Sequence, residues 1–307
     1  MSSGPAGDVA RSTDRPTGET VRRVPARTFL RTADGVRIEA VYDPGAAVDD
    51  ASASSPGAPV FVIAHGFTGD VDRPHVRRVA AAFARCGAVV TFSFRGHGSS
   101  GGLSTVGDRE VLDLLAAVEW ARGLGHARVV TVGFSMGGSV VLRHAALYGR
   151  PGDGERPYGP SGAREHGGRT DAVVSVSAPA RWYYRGTAPM RRLHWLVTRP
   201  AGRLVGRYGF RTRIHHRVGV PPARRAWGRD PVPLSPVDAV PRIAPTPLLI
   251  VHGDRDAYFP LDHPRMLADA AGDHGELWLE RGMGHAENAA ADELLERIAR
   301  WALAQGS

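Results

Sequence analysis

Lysine is missing from this chain: all 39 basic residues are arginine, which reads as a bias of composition rather than of chemistry. Cysteine is nearly missing too. The single Cys86 excludes an internal disulfide framework and suits a reducing compartment, so a soluble, cytoplasmic protein is the expectation. No apolar run approaches the ~20 residues that a membrane-spanning helix needs. There is no cysteine pair and no His-x-x-x-His spacing, and the adjacent His215 and His216 would not share one helix face, so no metal and no cofactor is expected. Residues Met1 to Arg23 hold no apolar stretch, which excludes a signal peptide there and predicts a disordered tail over residues 1–25.

What is present suits a large α/β domain. At 307 residues the chain can bury a substantial core, as one domain or as a domain carrying an insertion. The positive excess is local. Between Ala180 and Ile243 there are 14 arginines against two acids, Asp230 and Asp238, whereas the rest of the chain is mildly acidic. No nucleic-acid-binding signature accompanies that charge, so no nucleic-acid partner is expected. An anionic substrate, an anionic membrane surface or a merely solvated arginine face all remain open for it.

Strand and helix patterns alternate along most of the sequence. Thr28–Arg31 and Val36–Val41 flank an Asp34-Gly35 turn and read as a hairpin. Strands are expected at Val60–Ala64, Ala88–Phe94, Ala127–Val132, Val173–Val176, Leu248–Val251 and Glu276–Leu279. Helices are expected at Val76–Cys86, Val111–Trp120, Leu261–Ala271 and Leu294–Leu303, with surface loops at Ala46–Pro59 and Gly149–Arg169. Such alternation predicts a mainly parallel sheet covered on both faces. Arg181 to Arg242 breaks the rhythm. Only Ala201, Leu204, Val205 and Tyr208, following Pro200, make an apolar stripe there. The organisation expected is a core from residues 26–179 and 244–307, interrupted by a lid or cap insertion over 180–243.

Gly133-Phe134-Ser135-Met136-Gly137 stands between the Ala127–Val132 strand and a segment able to form a helix. Five residues of this kind recur by chance in a glycine-rich chain, so the context carries the reading. A serine on a strand-to-helix bend needs small residues two before and two after it, where a Cβ would strike neighbouring backbone. The bend exposes the hydroxyl at a helix N-terminus, whose amides favour developing negative charge. Ser135 therefore reads as the nucleophile of an acyl-transfer enzyme.

Further loops follow strands in the same way: His65-Gly66-Phe67-Thr68-Gly69, Arg95-Gly96-His97-Gly98-Ser99-Ser100-Gly101, His252-Gly253-Asp254-Arg255-Asp256 and Gly282-Met283-Gly284-His285. With these five motifs in this order the chain resembles the α/β-hydrolase fold family, from about Ala26 to its end and excluding most of 180–243. The resemblance implies Ser135 as nucleophile, Asp256 as acid and His285 as general base. It also implies an oxyanion hole from the backbone amides of Phe67 and Met136. The family's Gly-x-x-Asp spacing selects Asp256 over Asp254, which is left as a turn residue. His65 and His97 read as loop braces, and Glu287 with Asn288 as the cap of the last helix. The family's loop after the fourth strand often opens with Asp, where this chain has Ser93.

These residues lead to the expectation of a serine hydrolase acting on a small-molecule acyl substrate, a carboxylic ester foremost. An acyltransferase using the same three residues, a peptidase, a thioesterase or a non-catalytic binding protein are the other readings. The motifs do not bear on oligomeric state or acyl chain length.

Overall fold

A computed structural model describes residues 25–45, 59–149, 167–215 and 233–305. The expected N-terminal tail, most of the two expected surface loops and part of the 180–243 insertion lie outside the described residues.

The most apolar runs become the centre of the sheet. Strands β3 (Val60–Ala64), β4 (Ala88–Phe92), β5 (Val129–Phe134), β6 (Ala172–Val176) and β7 (Leu248–Gly253) are buried along their whole length. That is the pattern of parallel strands covered on both faces. β1 (Ala26–Arg31) and β2 (Arg37–Asp43) form the antiparallel hairpin read from the sequence, with Gly35 at φ +83° in its turn. β8 (Gly275–Glu280) closes the other edge. The eight strands lie in the order β1-β2-β4-β3-β5-β6-β7-β8, parallel from β4 to β8.

Side chains alternate across the sheet and make two apolar layers. Val60, Val62 and Ala64 join the layer under α2 (Glu110–Gly123), α3 (Met136–Tyr148) and α7 (Asp262–Ala271). Phe61 and Ile63 point the other way, to α1 (Pro74–Ala84) and α9 (Asp292–Ala304). Among the described residues no helix is long and apolar enough to cross a membrane.

The insertion is less irregular than its sequence suggests. It holds α4 (Ala188–Thr198) and α5 (Pro200–Gly209), which pack on each other. α5 starts at Pro200 as read. α4 was not anticipated, although Met190, Leu193 and Val197 carry helical spacing and Thr187 accepts the Met190 amide at its start. The arginines and aromatics among them obscure the period. Further along, α6 (Pro236–Ala239) packs back against α3 and α7, with Ala239 and Val240 fully buried.

From β3 the chain runs out to β4, then returns to place β5 on β3's other side. This reversal between β3 and β5 opens a crevice at the strands' C-terminal ends, where open α/β sheets bind ligands. The loop His65–Gly69 and the turn at Ser135 both leave the sheet there.

Candidate active site

Ser135 sits between β5 and α3 at φ +51° and ψ −112°, a conformation that is costly for a residue with a Cβ. The surrounding glycines show why the bend needs them. A Cβ on Gly133 would lie 2.2 Å from the Gly137 carbonyl oxygen, and one on Gly137 would lie 2.1 Å from that of Ala64. The Ser135 amide donates to the Val176 carbonyl at 2.8 Å, which ties the turn to β6. Two more residues at the same edge take positive φ: Ser177 at +51° and Ala286 at +53°. The Ser177 hydroxyl accepts the Ala286 amide at 3.1 Å and so joins the end of β6 to the loop holding His285.

His285 Nε2 lies 2.9 Å from Ser135 Oγ, and its Nδ1 lies 2.8 Å from Asp256 Oδ2. A carboxylate can only accept, so Nδ1 carries the proton and Nε2 is free to accept from the serine. Asp256 is held from its other oxygen by the amides of Tyr258 and Phe259, at 2.8 and 3.1 Å. Burial opposes ionisation of Asp256. The bond and charge of His285, with the two amides, outweigh it and hold the carboxyl below its ordinary range. Tyr258 stacks on the His285 ring at 4.2 Å between centroids. Asp254 faces elsewhere: its Oδ1 accepts the Gly282 amide at 2.6 Å, as a turn residue does.

Phe67 and Met136 line the same cavity as Ser135. Among the described residues neither backbone amide is taken by a protein acceptor. The Gly66–Phe67 peptide is fixed from several sides. His65 Nδ1 donates to the Gly66 carbonyl at 2.6 Å while its Nε2 accepts the Phe94 amide at 3.0 Å, a pattern that requires a neutral ring. Burial, reinforced by neighbouring His97, holds the His65 pKa well below its ordinary value. His97 Nε2 donates to the Phe67 carbonyl at 2.5 Å. Both histidines therefore brace the loop. Ser93, where the family often has Asp, is buried and its hydroxyl accepts the Val71 amide at 3.1 Å.

Glu287 departs from the expectation drawn from sequence. It does not cap the last helix, which begins at Asp292; it lies in the short α8 (Ala286–Ala289) and its buried carboxylate accepts the Gly66 amide at 2.9 Å. Both roles need an acceptor oxygen near a chain turn, so residue type alone does not separate them. Only the tertiary approach of the two loops, 221 residues apart, distinguishes them.

An apolar cavity of about 110 Å³ opens onto Ser135. Phe67 and Met136 line it from the core, and Trp182, Met190, Leu193 and Val197 line it from the insertion. Trp182 is anchored through its indole N–H to the Pro233 carbonyl at 3.0 Å. Among the described residues, no three His, Cys, Asp or Glu side chains gather where they could hold a metal ion.

Comparison with known proteins agrees with this architecture. A monoacylglycerol lipase from Mycolicibacterium smegmatis is 30% identical over 224 residues, spanning 68% of this chain and 74% of that protein. An esterase from Pyrococcus furiosus has the same fold, with a TM-score of 0.63 at 19% identity over 92% of this chain and 94% of its own. Est1E from Butyrivibrio proteoclasticus, solved with ferulic acid bound, gives 0.56 at 19% identity over 90% and 96%. The alpha/beta hydrolase family model matches residues 61–297. With the eight-stranded, mainly parallel sheet and its flanking helices, that match establishes that the chain belongs to the alpha/beta hydrolase family.

Proposed function

We propose that this protein is a serine esterase that cleaves a carboxylic ester through an acyl-enzyme on Ser135. The observation that carries the reading is the unbroken hydrogen-bonded line from Ser135 Oγ through His285 to Asp256. A serine hydroxyl is a poor nucleophile until a base takes its proton, and His285 Nε2 is within reach to do so. Asp256 keeps the ring in the tautomer that leaves Nε2 open and stabilises the imidazolium once it forms. Oγ attacks the acyl carbon, and the carbonyl oxygen becomes an oxyanion received by the amides of Phe67 and Met136. One such donor is worth about 3–4 kcal/mol of transition-state stabilisation. His285 then protonates the departing alcohol. A water attacks the acyl carbon as His285 takes its proton, and His285 returns that proton to Ser135 Oγ as the acyl–Oγ bond breaks and the acid leaves.

In this reading His65 and Glu287 are positioning residues, which fix the Gly66–Phe67 peptide so that its amide meets the oxyanion. Residues 180–243 act as a cap whose inner side chains, Met190, Leu193 and Val197, select the acyl group. The lipase from M. smegmatis makes fatty-acyl monoglycerides the natural esters to try beside simple ones.

The test is hydrolysis of p-nitrophenyl esters from acetate to palmitate, and of a monoacylglycerol, by the wild type and by Ser135→Ala. The expectation is turnover lost by about 10⁴-fold or more in the variant. A folded wild type that cleaves no ester would overturn the esterase reading and favour acyl transfer to another acceptor.

A further inference from the structure

The apolar stripe of α5 faces the wrong way for a helix of a water-facing surface. Amphipathic helices normally turn their apolar side to the core. Here Leu204, Val205 and Tyr208 point outward and are 56%, 49% and 75% exposed. The inner face of α5 is instead made by glycines, Gly202 and Gly206, its only buried residues. A Cβ on Gly202 would lie 2.6 Å from the Trp195 carbonyl oxygen and 2.7 Å from Leu196 Cα. Close approach to α4 thus depends on this glycine facing inward, which fixes the apolar stripe outward. Trp195 on α4 extends the same exposed surface, 48% exposed.

The same two helices carry arginines. Arg191, Arg192, Arg199, Arg207 and Arg211 are all exposed on the two helices and at their ends. Acids do not balance them, because 180–243 holds only Asp230 and Asp238 against 14 arginines. The sign of the charge selects the partner. A second copy of the chain would bring the same positive surface against itself. Residues 216–232 of this chain hold four arginines, Arg217, Arg224, Arg225 and Arg229, against one acid, so they too are repelled. Exposed aliphatic and aromatic side chains on helices that also carry exposed arginines match the interface of an anionic bilayer. Leu, Val, Tyr and Trp enter at headgroup depth while the arginines meet phosphate.

We infer that the outer face of the α4–α5 pair docks this protein on anionic phospholipid membranes. The inner face of α4 lines the cavity at Ser135 through Met190, Leu193 and Val197. Docking therefore brings that cavity to a lipid surface. The inference concerns where the protein sits and stands whether or not Ser135 is the nucleophile.

The experiment is co-sedimentation of the full chain with vesicles of phosphatidylcholine alone or mixed equally with phosphatidylglycerol. Wild type is compared with Leu204→Ser/Tyr208→Ser and with Arg192→Gln/Arg207→Gln. Wild type is expected to bind the anionic vesicles and each variant to bind them about tenfold or more weakly. Hydrolysis of p-nitrophenyl acetate serves as the control for folding and is expected to be unchanged in both variants; if that ester is not a substrate, circular dichroism and thermal melting serve instead. Wild-type binding that is absent, equal on neutral vesicles, or untouched by the Leu204/Tyr208 change would overturn the inference. So would a wild-type dimer, seen by sedimentation equilibrium, that this change converts to monomer.

Discussion

Helices α3 and α5 are built in opposite ways. α3 buries 11 of its 13 residues against the sheet and its neighbours. α5 buries two of ten, both glycine, and leaves its apolar stripe in solvent. The first fixes Ser135 through backbone that has no room to move. The second packs on α4, whose Met190, Leu193 and Val197 line the cavity at Ser135, and it has little side-chain packing of its own. The difference matches the two tasks proposed above, with the chemistry assigned to the core and access to it assigned to the insertion.

The largest effects are expected in the core. Asp256→Asn should lower kcat/KM by about 10⁴-fold, because the amide permits the wrong histidine tautomer. Asp254→Asn, which disturbs only the contact to Gly282, should change it by no more than about threefold. Steady-state rates of the pair decide the acid, and a larger loss at Asp254 would reverse the assignment.

Next comes Glu287. Glu287→Leu removes the acceptor for the Gly66 amide and should lower kcat by about tenfold with KM little changed, since the donor it misplaces matters mainly in the transition state. Glu287→Gln retains an acceptor oxygen and should recover most of that loss. Equal damage from both changes would mean that charge or packing, rather than the bond to Gly66, is what the residue provides.

The insertion should respond in KM and selectivity instead. Leu193→Trp, which adds volume to the cavity wall, should raise KM for long-chain esters several-fold, by about 1 kcal/mol, and leave acetate esters nearly unchanged. A uniform loss across chain lengths would blur the division between the two regions.

The smallest effect on turnover is expected at His144, in α3. It is fully buried, neither ring nitrogen has a partner among the described residues, and burial pushes its pKa down to about 3. An unfolded chain binds that proton near pH 6.5, so stability is full above that value. It falls as pH drops toward 3, by about 1.4 kcal/mol per pH unit. His144→Phe should remove one proton from that slope, read from urea unfolding between pH 4 and pH 7, while activity at pH 7 is retained.

What could be read from the sequence follows the same division. The buried strands were legible because each is a short, nearly all-apolar run, as a parallel strand covered on both faces requires. Ser135 was legible because Gly133 and Gly137 mark a close backbone approach within a few residues. His285 and Asp256 needed the resemblance to a family, since nothing local ties them to a serine over a hundred residues away. Glu287 looked like a cap, and only the fold brings it to Gly66. In the insertion the stripe over Ala201–Tyr208 was visible, but its direction was not. Gly202, turned toward α4, and Gly206, turned toward Thr212 and Ile214, decide that, and sequence periodicity alone does not say which face will find a partner.

The most direct test of the proposed chemistry is to treat the protein with a fluorophosphonate ester and locate the adduct by peptide mass spectrometry. The account predicts one phosphonyl group, on Ser135, formed in step with loss of esterase activity and absent from His285→Ala. Full inactivation with the label on another residue, or esterase activity that survives complete modification of Ser135, would contradict it.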